Sequence, residues 1–149
     1  MNWHEFARAA PDLAQAGEER FERWGLILLG SVRKDGTPRI SPVEPLIVGG
    51  ELMLGMMWQS KKALDLLREP RCLVHSIITN KDGSEGEFKL RGTARDIADL
   101  DVRETYSKAL FEKIGFRPEG TEWHLFAIDI ERVALIAFEG EEKTVQTWP

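Results

Sequence analysis

Cysteine is all but missing: Cys72 is the only one in 149 residues. No internal disulfide can form and no cage of several thiolates can hold a metal, so nothing points to an oxidising compartment. The lone thiol lies in an apolar run and reads as a small buried residue. Only three histidines are present, His4, His75 and His124, too far apart in sequence to show metal-ligand spacing. Long apolar runs are also lacking. The stretch 26–29 (LILL) is the longest near the start, against the roughly 20 residues of a membrane helix. Residues 1–8 mix Asn, His, Glu and Arg with Trp and Phe, unlike a secretory leader. These absences lead us to expect a cytoplasmic protein with no membrane contact. Nucleophile elbows, P-loops, zincin helices and dinucleotide fingerprints are absent as well, so no catalytic residue is named.

What is present is ordinary globular material, 42% hydrophobic and 30% charged, in a length that suits one domain. Lys and Arg number 20 against 25 Asp and Glu, a net charge of −5. That balance argues against nucleic-acid binding, which draws on neutralised phosphates.

Helical spacing marks residues 2–23, with Pro11 splitting the segment and Gly25 ending it. Short apolar, partly β-branched runs follow. Residues 26–33 are a strand, and Asp35-Gly36 opens a hairpin into a second strand over 38–48 (PRISPVEPLIV). Its three prolines cannot donate to a ladder, so part of it belongs at a sheet edge or bulge. After Gly49-Gly50 comes a third strand over 51–57. Residues 60–68 (SKKALDLLR) are a helix with Ser60 as N-cap and Ala63, Leu64 and Leu67 as its apolar stripe. Further strands are expected over 71–79, 86–97, 123–130, 133–138 and 143–148. A helix is expected over 99–114, with Leu100, Val102, Tyr106, Ala109, Leu110 and Ile114 inward. Strands joined by tight turns pair antiparallel, and a small antiparallel barrel with helices packed outside is the economical arrangement.

One constellation carries chemistry. Arg39 and Ser41 share a strand face. Ser60, Lys61 and Lys62 stand at a helix start, where unpaired N–H groups and the helix dipole favour an anion. A hydroxyl, two ammonium groups and a guanidinium would suit a phosphate dianion. On spacing alone the plainer reading is favoured: solvated first-turn lysines, a plain cap and a surface arginine.

The runs KDGTPRISPV (34–43), ELMLGMM (51–57) and QSKKALDLLREPRCLV (59–74), followed by GEFKLRGTARDIA (86–98), together resemble the flavin-binding split-barrel family related to pyridoxamine 5′-phosphate oxidase. The likeness covers about half the chain, from residue 26 to 98. It implies a mainly β fold, a six-stranded antiparallel split β-barrel of Greek-key type with a few peripheral helices. It also implies flavin mononucleotide (FMN) bound across a homodimer interface, and a two-electron redox step on a small molecule. Arg39, Ser60, Lys61 and Lys62 would hold the flavin phosphate. Ile40, Ser41, Pro42 and Val43 would run past the ring and ribityl chain, and Gly55 and Met56 would offer backbone beside the ring; Trp148 would either cover it from the partner or stand as a core-edge tryptophan of the last strand. Where the oxidases carry a lysine for their substrate's phosphate, this chain has Glu44, which would repel it. Glu87 stands where they carry a flavin-bonding glutamine. Pyridoxamine phosphate is therefore a poor substrate candidate. Other members of the fold bind the deazaflavin F420 or haem, or act as flavin sensors or carriers without turnover.

Overall fold

The computed structural model describes residues 1–149. Two helices lead, α1 (Trp3–Ala9) and α2 (Pro11–Trp24). Asn2 caps α1 through a reciprocal box with Glu5, Pro11 sits in the first turn of α2, and Gly25 closes it in a left-handed conformation. Eight strands follow: β1 (Ile27–Val32), β2 (Pro38–Val43), β3 (Pro45–Val48), β4 (Glu51–Met57), β5 (Arg71–Ser76), β6 (Glu87–Asp96), β7 (Trp123–Glu139) and β8 (Glu142–Trp148). Between them lie α3 (Lys61–Arg68) and α4 (Leu100–Ile114).

All strand pairs are antiparallel, in the order β2-β1-β5-β6-β7-β4-β3. β8 adds to β7 beyond β4, because β7 is long enough to carry both strands on one edge. The fold is mainly β and antiparallel as expected, but the sheet has eight strands and is not closed, in place of the expected six-stranded split barrel. Its two ends, β2 and β3, are consecutive in the chain and joined through Glu44 alone. The expected single strand over 38–48 is broken there. Pro38 and Pro42 lie on one terminal strand and Pro45 on the other, where a residue without an N–H costs the ladder least.

Residues 123–130 and 133–138, expected as two strands, are one. Glu131 is accommodated as a bulge in β7, since Gly92 faces Ile130 while Arg91 faces Arg132. A Cβ on Gly92 would meet the Asp129 carbonyl at 2.3 Å, so only glycine permits this close approach.

The main core lies inside the curled sheet under α1 and α2, around Trp3, Phe6, Phe21, Leu29, Phe88 and Phe126. A second, smaller core joins β3, β4 and the start of β7 to α4 through Met53, Tyr106, Leu110, Trp123 and Leu125. Two helix faces differ from expectation. α3 buries Ala63, Asp65 and Leu66, with Leu67 exposed, and α4 buries only its middle, leaving Leu100 and Ile114 in the open. No helix is long and apolar enough to cross a membrane.

Candidate functional site

β4 runs into α3 through Trp58, Gln59 and Ser60, and this turn is tightly held. Ser60 N–H donates to the Met57 carbonyl at 3.1 Å. Gln59 adopts φ 56°, a left-handed conformation uncommon for a residue with a Cβ. Its N–H donates to Nε2 of His124 at 3.1 Å, while Trp58 stacks on the same imidazole, centroids 4.7 Å apart and nearly parallel. Nε2 must be unprotonated to accept that bond. Burial, the largest influence on the ring, lowers its pKa and agrees with a neutral imidazole.

The turn delivers Ser60 to the N-cap of α3 with its hydroxyl buried and without any partner. α4, in contrast, is capped by Asp99, which accepts from Asp101 and Val102. The first turn of α3 contains no acidic residue and brings Lys61 and Lys62. The helix therefore begins with unpaired N–H groups, two ammonium charges and a free hydroxyl.

Arg39 reaches this helix from β2. Its Nε donates to Asp65 Oδ2 at 2.7 Å. Arg68 bonds the other Asp65 oxygen at 3.2 Å, and the Ser31 hydroxyl donates to Oδ2 at 3.0 Å. Burial of Asp65 by itself raises its pKa. The bonds from Arg39, Arg68 and Ser31 outweigh it and hold the carboxyl below its ordinary range. Because Arg39 uses Nε for this bond, its two terminal nitrogens keep their donors for another acceptor. Lys62 Nζ stands 3.5 Å from the Pro42 carbonyl, a second tie between α3 and β2.

The remaining sequence candidates fall into two groups. Ser41 points to the same side as Arg39, opposite Leu29, while Ile40 and Pro42 point outward. Val43 and Met56 are buried in the main core, so they offer only backbone. Gly55 lies beneath Tyr106, and a Cβ there would meet the phenolic oxygen at 2.4 Å. Lys61 is exposed. Trp148 is set apart: it packs edge-on against Phe6 and pairs with Val133, whereas Met56 pairs with His124. Nine residues of β7 separate those partners, roughly 30 Å, so one chain does not bring Trp148 to α3.

Arg39, Lys61 and Lys62 line none of the clefts of about 610, 480, 470 and 170 Å³. The constellation opens on a surface. Beside it the outward face of the sheet carries a row formed by Ile40, Gly30 and Leu73, with Ile40 71% exposed.

Asp65, Gln59 and His124 escaped the sequence reading. For Asp65 a signal existed, since a carboxylate three residues before Arg68 interrupts the leucines of the helix. For His124, 64 residues beyond Ser60, nothing local pointed to the turn.

No family model matches the chain, and no curated protein matches it in sequence. Solved structures do share its shape. A NimC/NimA family protein from Clostridium acetobutylicum superposes with a TM-score of 0.69 at 16% identity, covering 90% of this chain and 91% of the other. A protein from the same organism related to general stress protein 26 of B. subtilis, of the pyridoxinephosphate oxidase family, gives 0.66 at 13% identity, over 90% and 92%. HutZ, the heme storage protein of Vibrio cholerae, gives 0.65 at 13% identity, over 80% and 90%. Identities this low establish a common fold with these proteins, among them members of the family that the sequence resembles, and nothing finer.

Proposed function

We propose that the chain binds FMN with its phosphate at the start of α3 and serves a two-electron redox reaction on a small molecule. The observation that carries this reading is the buried, partnerless Ser60 hydroxyl at a helix start beside Lys62 and the free terminal nitrogens of Arg39. These donors fit a phosphate dianion, and no carboxylate competes in the first turn. Asp65 fixes the guanidinium through Nε and so orients its remaining donors. His124 holds the turn that presents Ser60. When bound, the flavin would supply the electron-transfer chemistry, and the protein's share is binding, orientation and exclusion of water. Exclusion of water needs a cover that one chain lacks here, which supports a homodimer with its partner seated on the row of Ile40 and Leu73 and with Trp148 contributed across the interface.

Absorbance tests this directly. Titrating the protein with FMN should perturb the visible flavin band and quench its fluorescence at micromolar concentration. Arg39→Ala and Lys62→Ala should each weaken FMN by about 10- to 100-fold, the worth of a charge-assisted hydrogen bond, and leave riboflavin, which lacks the phosphate, nearly unchanged. An equal loss for both ligands refutes the phosphate assignment. Stopped-flow reduction by NADH or NADPH separates an enzyme from a flavin carrier or sensor, and competition with F420 separates the two flavins. The fold shared with HutZ favours haem as a second reading, in which a Soret band on haem addition would replace the flavin response.

A further inference from the structure

On the other side of the Trp58–Ser60 turn lies a cleft of about 470 Å³, bounded by the end of β4, the middle of α4 and the loop 115–122. That volume is within the usual range of small-molecule sites. Its floor is apolar and aromatic, made by Met57, Trp58, Phe116 and Trp123. Trp58 gives one face to His124 and is 48% exposed, so its other face is open. Its rim carries Glu44, Glu119 and Glu122. None of the three enters an ion pair, and no Lys, Arg or His lines the cleft.

At the back stands Tyr106. The residue is 2% exposed, and its oxygen lies against the backbone N–H of Gly55. Burial pushes the phenol up to about 12, so it is a neutral donor at any physiological pH. His124, behind Trp58, adds no positive charge while its Nε2 accepts from Gln59.

We infer that this cleft is a binding site for a small organic cation with an apolar or aromatic body, the charge held among Glu44, Glu119 and Glu122 and over the open face of Trp58. Indole is the strongest cation–π host among side chains. Carboxylates outside any ion pair at the mouth of an apolar cleft raise the local cation concentration, although the Arg103 guanidinium covers the Trp123 ring at 3.9 Å and leaves Trp58 as the open aromatic face. An acceptor atom on the ligand would take up the Tyr106 hydroxyl. The same turn thus divides two surfaces of opposite charge, an anion-favouring helix start and a cation-favouring cleft. The inference stands whether or not the helix start holds a flavin.

The test uses the full chain without cofactor and three probes of matched body: 2-phenylethylamine, 2-phenylethanol and 3-phenylpropionate. Binding is read from the indole N–H resonances of Trp58 and Trp123, assigned among the five tryptophans with Trp58→Phe and Trp123→Phe. The amine should shift both resonances, bind on the order of tenfold more tightly than the alcohol and weaken as salt is added. The carboxylate should produce no shift. The triple variant Glu44→Gln, Glu119→Gln, Glu122→Gln changes only exposed side chains and should melt like the parent. It should bring amine and alcohol to within about threefold of each other. Equal binding of amine and alcohol to the parent, an amine preference that survives in the triple variant, or unshifted indoles at millimolar amine would each overturn the inference. FMN titration of the same sample reports on the helix start separately.

Discussion

Asp65 offers the sharpest quantitative test, because one carboxylate joins β1, β2 and α3. Replacing it with alanine removes two charge-assisted bonds, from Arg39 and Arg68, and one hydroxyl bond, from Ser31. Breaking a buried ion pair and stranding its partner costs about 3–5 kcal/mol. Here the arginine side chains are 23% and 37% exposed, so both can take up water, which reduces the expected loss to about 2–3 kcal/mol. In a chain of this length that is a fall in Tm of roughly 5–10 °C. Circular dichroism melts at pH 7 read it, and Asp65→Asn, which keeps the shape and loses the charge, should lie between parent and alanine variant. The pH dependence has a definite sign. The folded-state pKa is depressed, so the stabilisation is complete above the unfolded value, near 4, and is lost as pH falls through the folded one. The gap between parent and Asp65→Asn should therefore close in acid. The ligand limb is independent of the melt: without its tether Arg39 is no longer oriented, and FMN should weaken while riboflavin does not. A melt within about 1 °C of the parent at pH 7, or a gap that persists unchanged to pH 2, would refute the reasoning.

His124→Phe keeps a ring against Trp58 and removes the acceptor for Gln59 N–H. It should cost about 1 kcal/mol, seen in denaturant unfolding. Because the fold depresses the histidine pKa, its contribution is whole above about 6.5 and fades as pH falls through the folded value. The parent should lose stability relative to the variant as pH falls below about 6.5, and parallel profiles would count against this role. Gly55→Ala places a Cβ against the Tyr106 oxygen. The crowding should cost about 1–3 kcal/mol, and Tyr106→Phe in the same chain should restore part of it in thermal melts.

Much of the site's raw material was local and therefore readable. The DG turn, the prolines of β2 and β3, the cap at Ser60 and the lysines after it each obey rules spanning a few residues. β4 and α3 follow from such rules within a residue of their observed ends. Where the reading slipped, the deciding partner was distant. Glu131-Arg132 looks like a turn until Gly92 on the neighbouring strand makes room for a bulge. Leu67 fits a helical stripe, yet α3 turns Asp65 inward because Ser31 and Arg39 are there to bond it. The stretch 38–48 reads as one strand, and only the curl of the sheet makes it two opposite edges.

By itself the amino-acid order determined the mainly β character, the antiparallel pairing through tight turns and the basic start of α3, since periodicity, turn chemistry and caps act over short spans of chain. Tertiary structure alone decided that the sheet stays open at Glu44, that Arg39 is held by Asp65, that His124 pins the turn before Ser60, and that Glu44 lines one aromatic cleft with the loop residues Glu119 and Glu122. Each of those depends on side chains tens of residues apart meeting at hydrogen-bond or van der Waals distance. Packing sets such meetings, and no short-range pattern encodes them.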